Sequence, residues 1–181
     1  MAAVPANVME AMHVTSGKGK SQVAVILGSD SDLEMVGGGL KLLEEFGIGY
    51  ELRILSAHRT PKETAAYVEG LTETGVKVVI AAAGLSAALP GTVAAHTLLP
   101  VIGIPVSVGT LGGLDALLSI SQMPPGVPVA AVTIGSPGAR NAALLAVRIL
   151  ALSDQGLAGK LAAYADKQRE SVLAKDQQCR K

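Results

Sequence analysis

The sequence predicts a three-layer α/β domain, a parallel sheet with helices on both faces. Three observations carry that expectation. Short β-branched runs such as residues 23–27 are apolar at every position rather than at alternate ones, as strands covered on both sides are. Each run precedes a stretch in which apolar residues recur every three or four positions, the spacing of a helix. Polar loops stand where the strands end, the rim on which open parallel sheets bind ligands.

In chain order, residues 22–27 (QVAVIL) form the first strand, followed by the loop Gly28-Ser29-Asp30-Ser31-Asp32. A helix then carries Leu33, Val36, Leu40, Leu43 and Phe46 at helical spacing. Gly37-Gly38-Gly39 weaken that helix unless a neighbour packs closely there. Residues 50–55 form the second strand, and Ser56-Ala57-His58-Arg59-Thr60-Pro61 leads into a helix with Ala65, Val68 and Leu71, closed by Gly75. In that loop Thr60 and Pro61 suit a cap and a first helical residue. Residues 77–83 and 101–106 are the third and fourth strands. Between them, the Ala-rich segment after Pro90 reads as a short helix. Residues 111–121 read as a helix, 127–134 as a fifth strand, and 141–152 as a helix buried nearly all round. An amphipathic segment from 155 to about 173 closes the chain.

Length and composition bound the function. At 181 residues the chain fits one domain of roughly 100–200 residues. Residues 22–181 read as a single catalytic domain with a C-terminal helix, and residues 1–21, which lack periodicity, as a flexible extension. Fifteen Lys plus Arg balance fifteen Asp plus Glu, and aromatic residues make up 2%, which argues against nucleic acid as a partner. The single Cys179 cannot form an intrachain disulfide, and no leader is visible, so a reducing, cytoplasmic location is expected. No apolar run approaches the ~20 residues of a membrane helix. Mean hydropathy is nonetheless +0.43 with 17% charged residues, so part of the apolar surplus is expected between subunits of a homo-oligomer.

Three loops share the expected ligand rim. In the first, backbone N–H groups and the hydroxyls of Ser29 and Ser31 can meet an anion at a helix N-terminus, and Asp32 can accept from sugar hydroxyls. Ser31 or Asp32 serves equally as an ordinary helix cap. In the second, His58 can move protons near neutral pH and Arg59 can clamp a phosphate, although a lone histidine or arginine is commonly structural. The third, AAAGLSAALPG, has small residues and one hydroxyl, Ser86, and admits either a close backbone approach to ligand or a tight turn. A loop containing Gln122 and Met123 is a lid or a connection. Dinucleotide, P-loop, zinc-protease and GxSxG signatures are absent.

GSDSD, SAHRTP, ALPG, PVIGIPV, LLSISQMPPGVPV and the NAALLA segment, in this order from about residue 23 to 152, resemble the aminoimidazole ribonucleotide carboxylase/mutase family of purine biosynthesis. The resemblance implies a flavodoxin-like subunit, assembled into an octamer with sites shared between neighbours, working without metal or organic cofactor. It implies contact of Ser29, Asp32 and Arg59 with the ribonucleotide and a catalytic role for His58. Ser31 and Ser56 join them in the substrate site, and the third loop (Ala83, Gly84, Ser86, Ala88, Leu89) gives room for carboxylate and carbon dioxide. The expected reaction moves a carboxyl group from N5 to carbon 4 of the aminoimidazole ribonucleotide.

One departure matters. The mutase branch usually has histidine where Ala88 stands and tryptophan where Leu33 stands. Both changes resemble the branch that carboxylates aminoimidazole ribonucleotide directly with carbon dioxide, and a nucleotide-binding homologue without catalysis is the more distant alternative. Arg59 and the LPG ending resemble the mutase. His96 lies roughly 12 Å further along a helix at ~1.5 Å per residue, too far to replace the missing ring.

Overall fold

The computed structural model describes residues 20–180; most of the expected N-terminal extension lies outside the described residues. Strands β1 (Val23–Leu27), β2 (Tyr50–Ile54), β3 (Val78–Ala83), β4 (Val101–Pro105) and β5 (Ala130–Ala131) form one sheet in the order β2-β1-β3-β4-β5. Every pairing is parallel. This is the flavodoxin-like order, and the expected fold class is the one observed.

The helices are α1 (Leu33–Phe46), α2 (Pro61–Thr74), α3 (Ala88–Ala95), α4 (Leu114–Ser121), α5 (Ser136–Ala151) and α6 (Gln155–Cys179). All five residues of β1 are buried, and its alternate side chains divide the core. Val23, Val25 and Leu27 pack with α1, α5 and the start of α6; Ala24 and Ile26 pack with α2, α3 and α4. The glycine run in α1 has its reason at one position. A Cβ on Gly39 would stand 2.5 Å from the Ala139 carbonyl oxygen of α5, whereas one on Gly37 would meet nothing within 4 Å.

Five elements differ from expectation by more than a residue. The fifth strand covers Ala130–Ala131 rather than residues 127–134, because it pairs on one side only and Pro128 has no N–H to donate. α3 begins before Pro90, which sits in the first turn where its missing donor costs nothing. α4 begins three residues later than expected because Gly112 and Gly113 are left-handed, at φ 58° and 92°. α5 starts five residues early, at Ser136-Pro137 behind Gly135. It also buries one face rather than all: Arg140, Asn141 and Arg148 are exposed. α6 runs to Cys179, capped by Asp154 Oδ1 on the Leu157 N–H at 3.0 Å, and Leu157 is its one buried residue. No helix among the described residues is long and apolar enough to cross a membrane.

Candidate active site

In this strand order the crevice between the C-terminal ends of β1 and β3 is where the winding reverses direction, and loops diverge there to leave an opening. A cavity of about 510 Å³ fills it, inside the roughly 300–1,000 Å³ range of small-molecule sites. Ser29, Ser31 and Asp32 reach it from the loop after β1, Ser56, His58 and Arg59 from the loop after β2, and Ala83, Gly84, Ser86, Ala88 and Leu89 from the end of β3 and the start of α3. Every expected site residue therefore lines one cavity. Gln122, Met123 and His96 do not line it. His96 Nδ1 instead pairs with Glu69 Oε1 at 2.9 Å, and Met123 Sδ lies against Gly91.

The first loop folds as a 3₁₀ turn, Asp30–Asp32, capped by Ser29 rather than by Ser31 or Asp32. Ser29 Oγ accepts from the Ser31 N–H at 3.3 Å and from Ser31 Oγ at 2.9 Å. Asp30 Oδ1 also accepts from the Ser31 N–H, at 3.1 Å, and the Asp32 N–H bonds to the Ser29 carbonyl at 3.3 Å. The amides of Ser31 and Asp32 are thus engaged within the turn. The polar groups this loop brings to the cavity are its hydroxyls and the Asp32 carboxylate. Asp32 stands at the start of α1 but makes no capping bond through its side chain, and it is 6% exposed. Burial pushes its pKa above the ordinary value of 3.8, a rise that hydrogen bonding from Ser31 tempers.

Arg59 Nη2 donates to the Gly28 carbonyl at 2.7 Å, and its Nε approaches Ser56 Oγ at 3.4 Å. One guanidinium therefore joins the first two loops while lining the cavity. His58 is exposed on the same turn. The third loop closes the far side with a strained backbone: Leu85 and Ala87 have φ of 55° and 36°, left-handed values that cost a non-glycine residue of order 1–3 kcal/mol. The Ala87 N–H holds the bend by bonding to the Gly84 carbonyl at 3.0 Å. Strain of this kind persists where a loop must present a particular surface.

Sequence reasoning missed Gly28, Ala57, Leu85, Ala87 and Val108 among the lining residues. Val108 belongs to the loop after β4, and the strand-end rule applied to that loop would have found it. No group of three or more His, Cys, Asp or Glu side chains among the described residues is placed to hold a metal ion.

A flavodoxin-like α/β domain with one arginine, one carboxylate, serine hydroxyls and an imidazole around a switch-point cavity has the donor set of a site for a small phosphorylated molecule. The chain belongs to the AIR carboxylase family, whose model matches residues 22–171. It is 52% identical over 157 residues to the N5-carboxyaminoimidazole ribonucleotide mutase of Mycobacterium tuberculosis, covering 87% of this chain and 89% of the relative. The mutase of Saccharolobus solfataricus is 50% identical over 153 residues, covering 84% and 96%. Among solved structures, Treponema denticola PurE superposes with a TM-score of 0.79 at 30% identity, covering 86% of this chain and 96% of that one.

Proposed function

We propose that the chain acts as an N5-carboxyaminoimidazole ribonucleotide mutase in de novo purine biosynthesis. The observation that carries this reading is the convergence of His58, Arg59, Asp32 and Ser29 on one cavity in a chain half identical to enzymes of that name. Arg59 and the hydroxyls of Ser29, Ser31 and Ser56 hold the phosphate. Asp32 accepts from the ribose hydroxyls. The heterocycle then lies between His58 and the small residues Ala83, Gly84, Ser86, Ala88 and Leu89.

The reaction is an isomerisation and balances without a co-reactant. The bond from N5 to the carboxyl carbon breaks, the amine gains a proton, and carbon dioxide remains beside the ring. Carbon 4 attacks it, a carbon–carbon bond forms, and carbon 4 loses a proton. The proton gained by nitrogen equals the one lost by carbon, so a single imidazole that shuttles between them suffices; His58 is that group. One molecule confined to this cavity stands at about 3 M, which is why retaining carbon dioxide favours recapture over escape.

The rim of the cavity carries exposed Leu85 and Val108, and α4 exposes Leu114 and Leu118 with Leu111 just before it. A second copy seated on this apolar surface would close the cavity against loss of carbon dioxide, and an octamer with shared sites fits the surplus. The exposed thiol of Cys179 suits a reducing cytoplasm.

Direct carboxylation of aminoimidazole ribonucleotide is the second reading, favoured by one observation: a methyl group, Ala88, lines the cavity where the mutase branch usually has an imidazole. Purified protein given the N5-carboxylated ribonucleotide, and separately aminoimidazole ribonucleotide with bicarbonate, separates the two. Turnover of the first at low bicarbonate is expected; turnover of the second alone would overturn the mutase reading. His58→Asn should lower kcat by about 10²–10⁴.

A further inference from the structure

The sequence assigns Thr60 the part of a helix cap, yet its hydroxyl does not cap. Thr60 stands at the N-cap position of α2, with φ −133° and ψ 52°, and makes no capping bond to the helix. Its Oγ1 turns back to the opposite end of the catalytic loop. It accepts from the Ser56 N–H at 2.9 Å and donates to the Ser56 carbonyl at 3.1 Å. The Thr60 N–H bonds to that same carbonyl at 2.9 Å. Residues 56 and 60 are thereby joined three times, and His58 lies at the middle of the loop they close.

Among the described residues, no other bond on this loop restrains His58 directly. The remaining side-chain bonds run from Arg59 to Ser56 and Gly28, and from Thr64 to the Thr60 and Ser56 carbonyls, and none reaches the imidazole. Thr64 is fully buried, and its hydroxyl donates to the Thr60 carbonyl at 2.7 Å, so the anchor for the closure is the core. Pro61 further keeps Thr60 away from helical backbone values. An exposed imidazole with no partner among the described residues takes its position from the backbone beneath it.

We propose that Thr60 is a positioning residue for His58: its hydroxyl holds the 56–60 loop closed and so sets where the imidazole meets carbon 4 and the amine. This rests on the reading of His58 as the proton carrier. A displacement of ~1 Å at a reacting group costs about a hundredfold in rate, which sets the scale of the effect. Substrate affinity, by contrast, comes from Ser29, Ser31, Asp32, Ser56 and Arg59, and the bonds of Arg59 to Ser56 Oγ and to the Gly28 carbonyl do not pass through the Thr60 hydroxyl.

The test compares Thr60→Val, which keeps the shape and removes the hydroxyl, with Thr60→Ser, which keeps the hydroxyl, using His58→Asn as the reference. Thr60→Val should lower kcat at least tenfold with KM within threefold of the parent, and Thr60→Ser should recover most of that loss. Product ribonucleotide should bind Thr60→Val with unchanged Kd. If valine is not accommodated in the fold, Thr60→Ala carries the same comparison. A kcat within threefold of the parent for Thr60→Val, or a loss that serine does not recover, overturns the positioning role while leaving that of His58 intact. Activity retained by His58→Asn would instead overturn the underlying reading.

Discussion

Arg59 Nη2 and the Gly28 carbonyl oxygen, 2.7 Å apart, tie the loop after β2 to the end of β1 across the floor of the cavity. The planar guanidinium engages Gly28 and Ser56 along one edge and still has donors for a phosphate, which a single ammonium cannot reproduce. Arg59→Lys should therefore keep the charge and lose the tie. KM for the ribonucleotide is expected to rise about 10- to 100-fold, the ~1.5–3 kcal/mol of a hydrogen bond to a charged group. Steady-state kinetics check this, and a KM unchanged within twofold would show that charge alone suffices.

Asp32 sets stability against function. Its pKa is raised by burial in the folded protein, so between 3.8 and the raised value the folded state binds more protons than the unfolded one. Stability from this group is complete below 3.8, falls as pH rises through the folded pKa, and stays lowered at neutral pH. Asp32→Asn removes that titration. Its Tm should exceed the parent's at pH 7, the difference shrinking as the pH drops below 3.8, while KM rises about tenfold or more from the lost charged acceptor. Thermal melts across pH, paired with kinetics, measure both; a lower Tm at pH 7 would contradict the account.

How far the sequence is legible follows from where each signal resides. The strands β1, β3 and β4 and helices α1 and α2 are plain in it because continuous apolar runs, helical spacing and the stop at Gly75 agree with one another. The three loops are legible because they follow directly from strand ends. β5 is not, since a valine-rich stretch looks like a full strand until Pro128 and one-sided pairing are known. Nor is the direction of a hydroxyl: Thr60 before Pro61 has every mark of a cap, and only the folded loop bonds it to Ser56.

Within one glycine run, two substitutions should act in opposite directions. Gly39 faces α5, where a methyl group would be forced to 2.5 Å from the Ala139 carbonyl; Gly37 is exposed with free space around it. Gly39→Ala should destabilise by about 1–3 kcal/mol, the cost of overpacking. Gly37→Ala should stabilise by about 0.5–1 kcal/mol, because alanine loses less conformational freedom in a helix interior. Chemical denaturation measures both, and equal effects at the two positions would remove the close approach as the explanation for Gly39.

The exposed leucines at and before α4 give the last expectation. Leu114 and Leu118, each 51% exposed, lie one helical turn apart on α4, and Leu111, 61% exposed, stands before that helix across Gly112 and Gly113. Their neighbours on the buried side, Ala116 and Ile120, hold α4 to the sheet, so the exposed leucines are not needed to keep the helix in place. Burying a leucine side chain is worth about 1.5–3 kcal/mol, and a symmetric assembly repeats that at every copy of the interface. Leu118→Asp should leave the subunit folded, with its far-ultraviolet dichroism unchanged, and shift the native mass in light scattering to a smaller species. Activity should fall with the mass, because an opened cavity loses carbon dioxide to solvent before carbon 4 captures it. A variant that loses the assembly yet keeps the parent kcat would show that each subunit closes its own site.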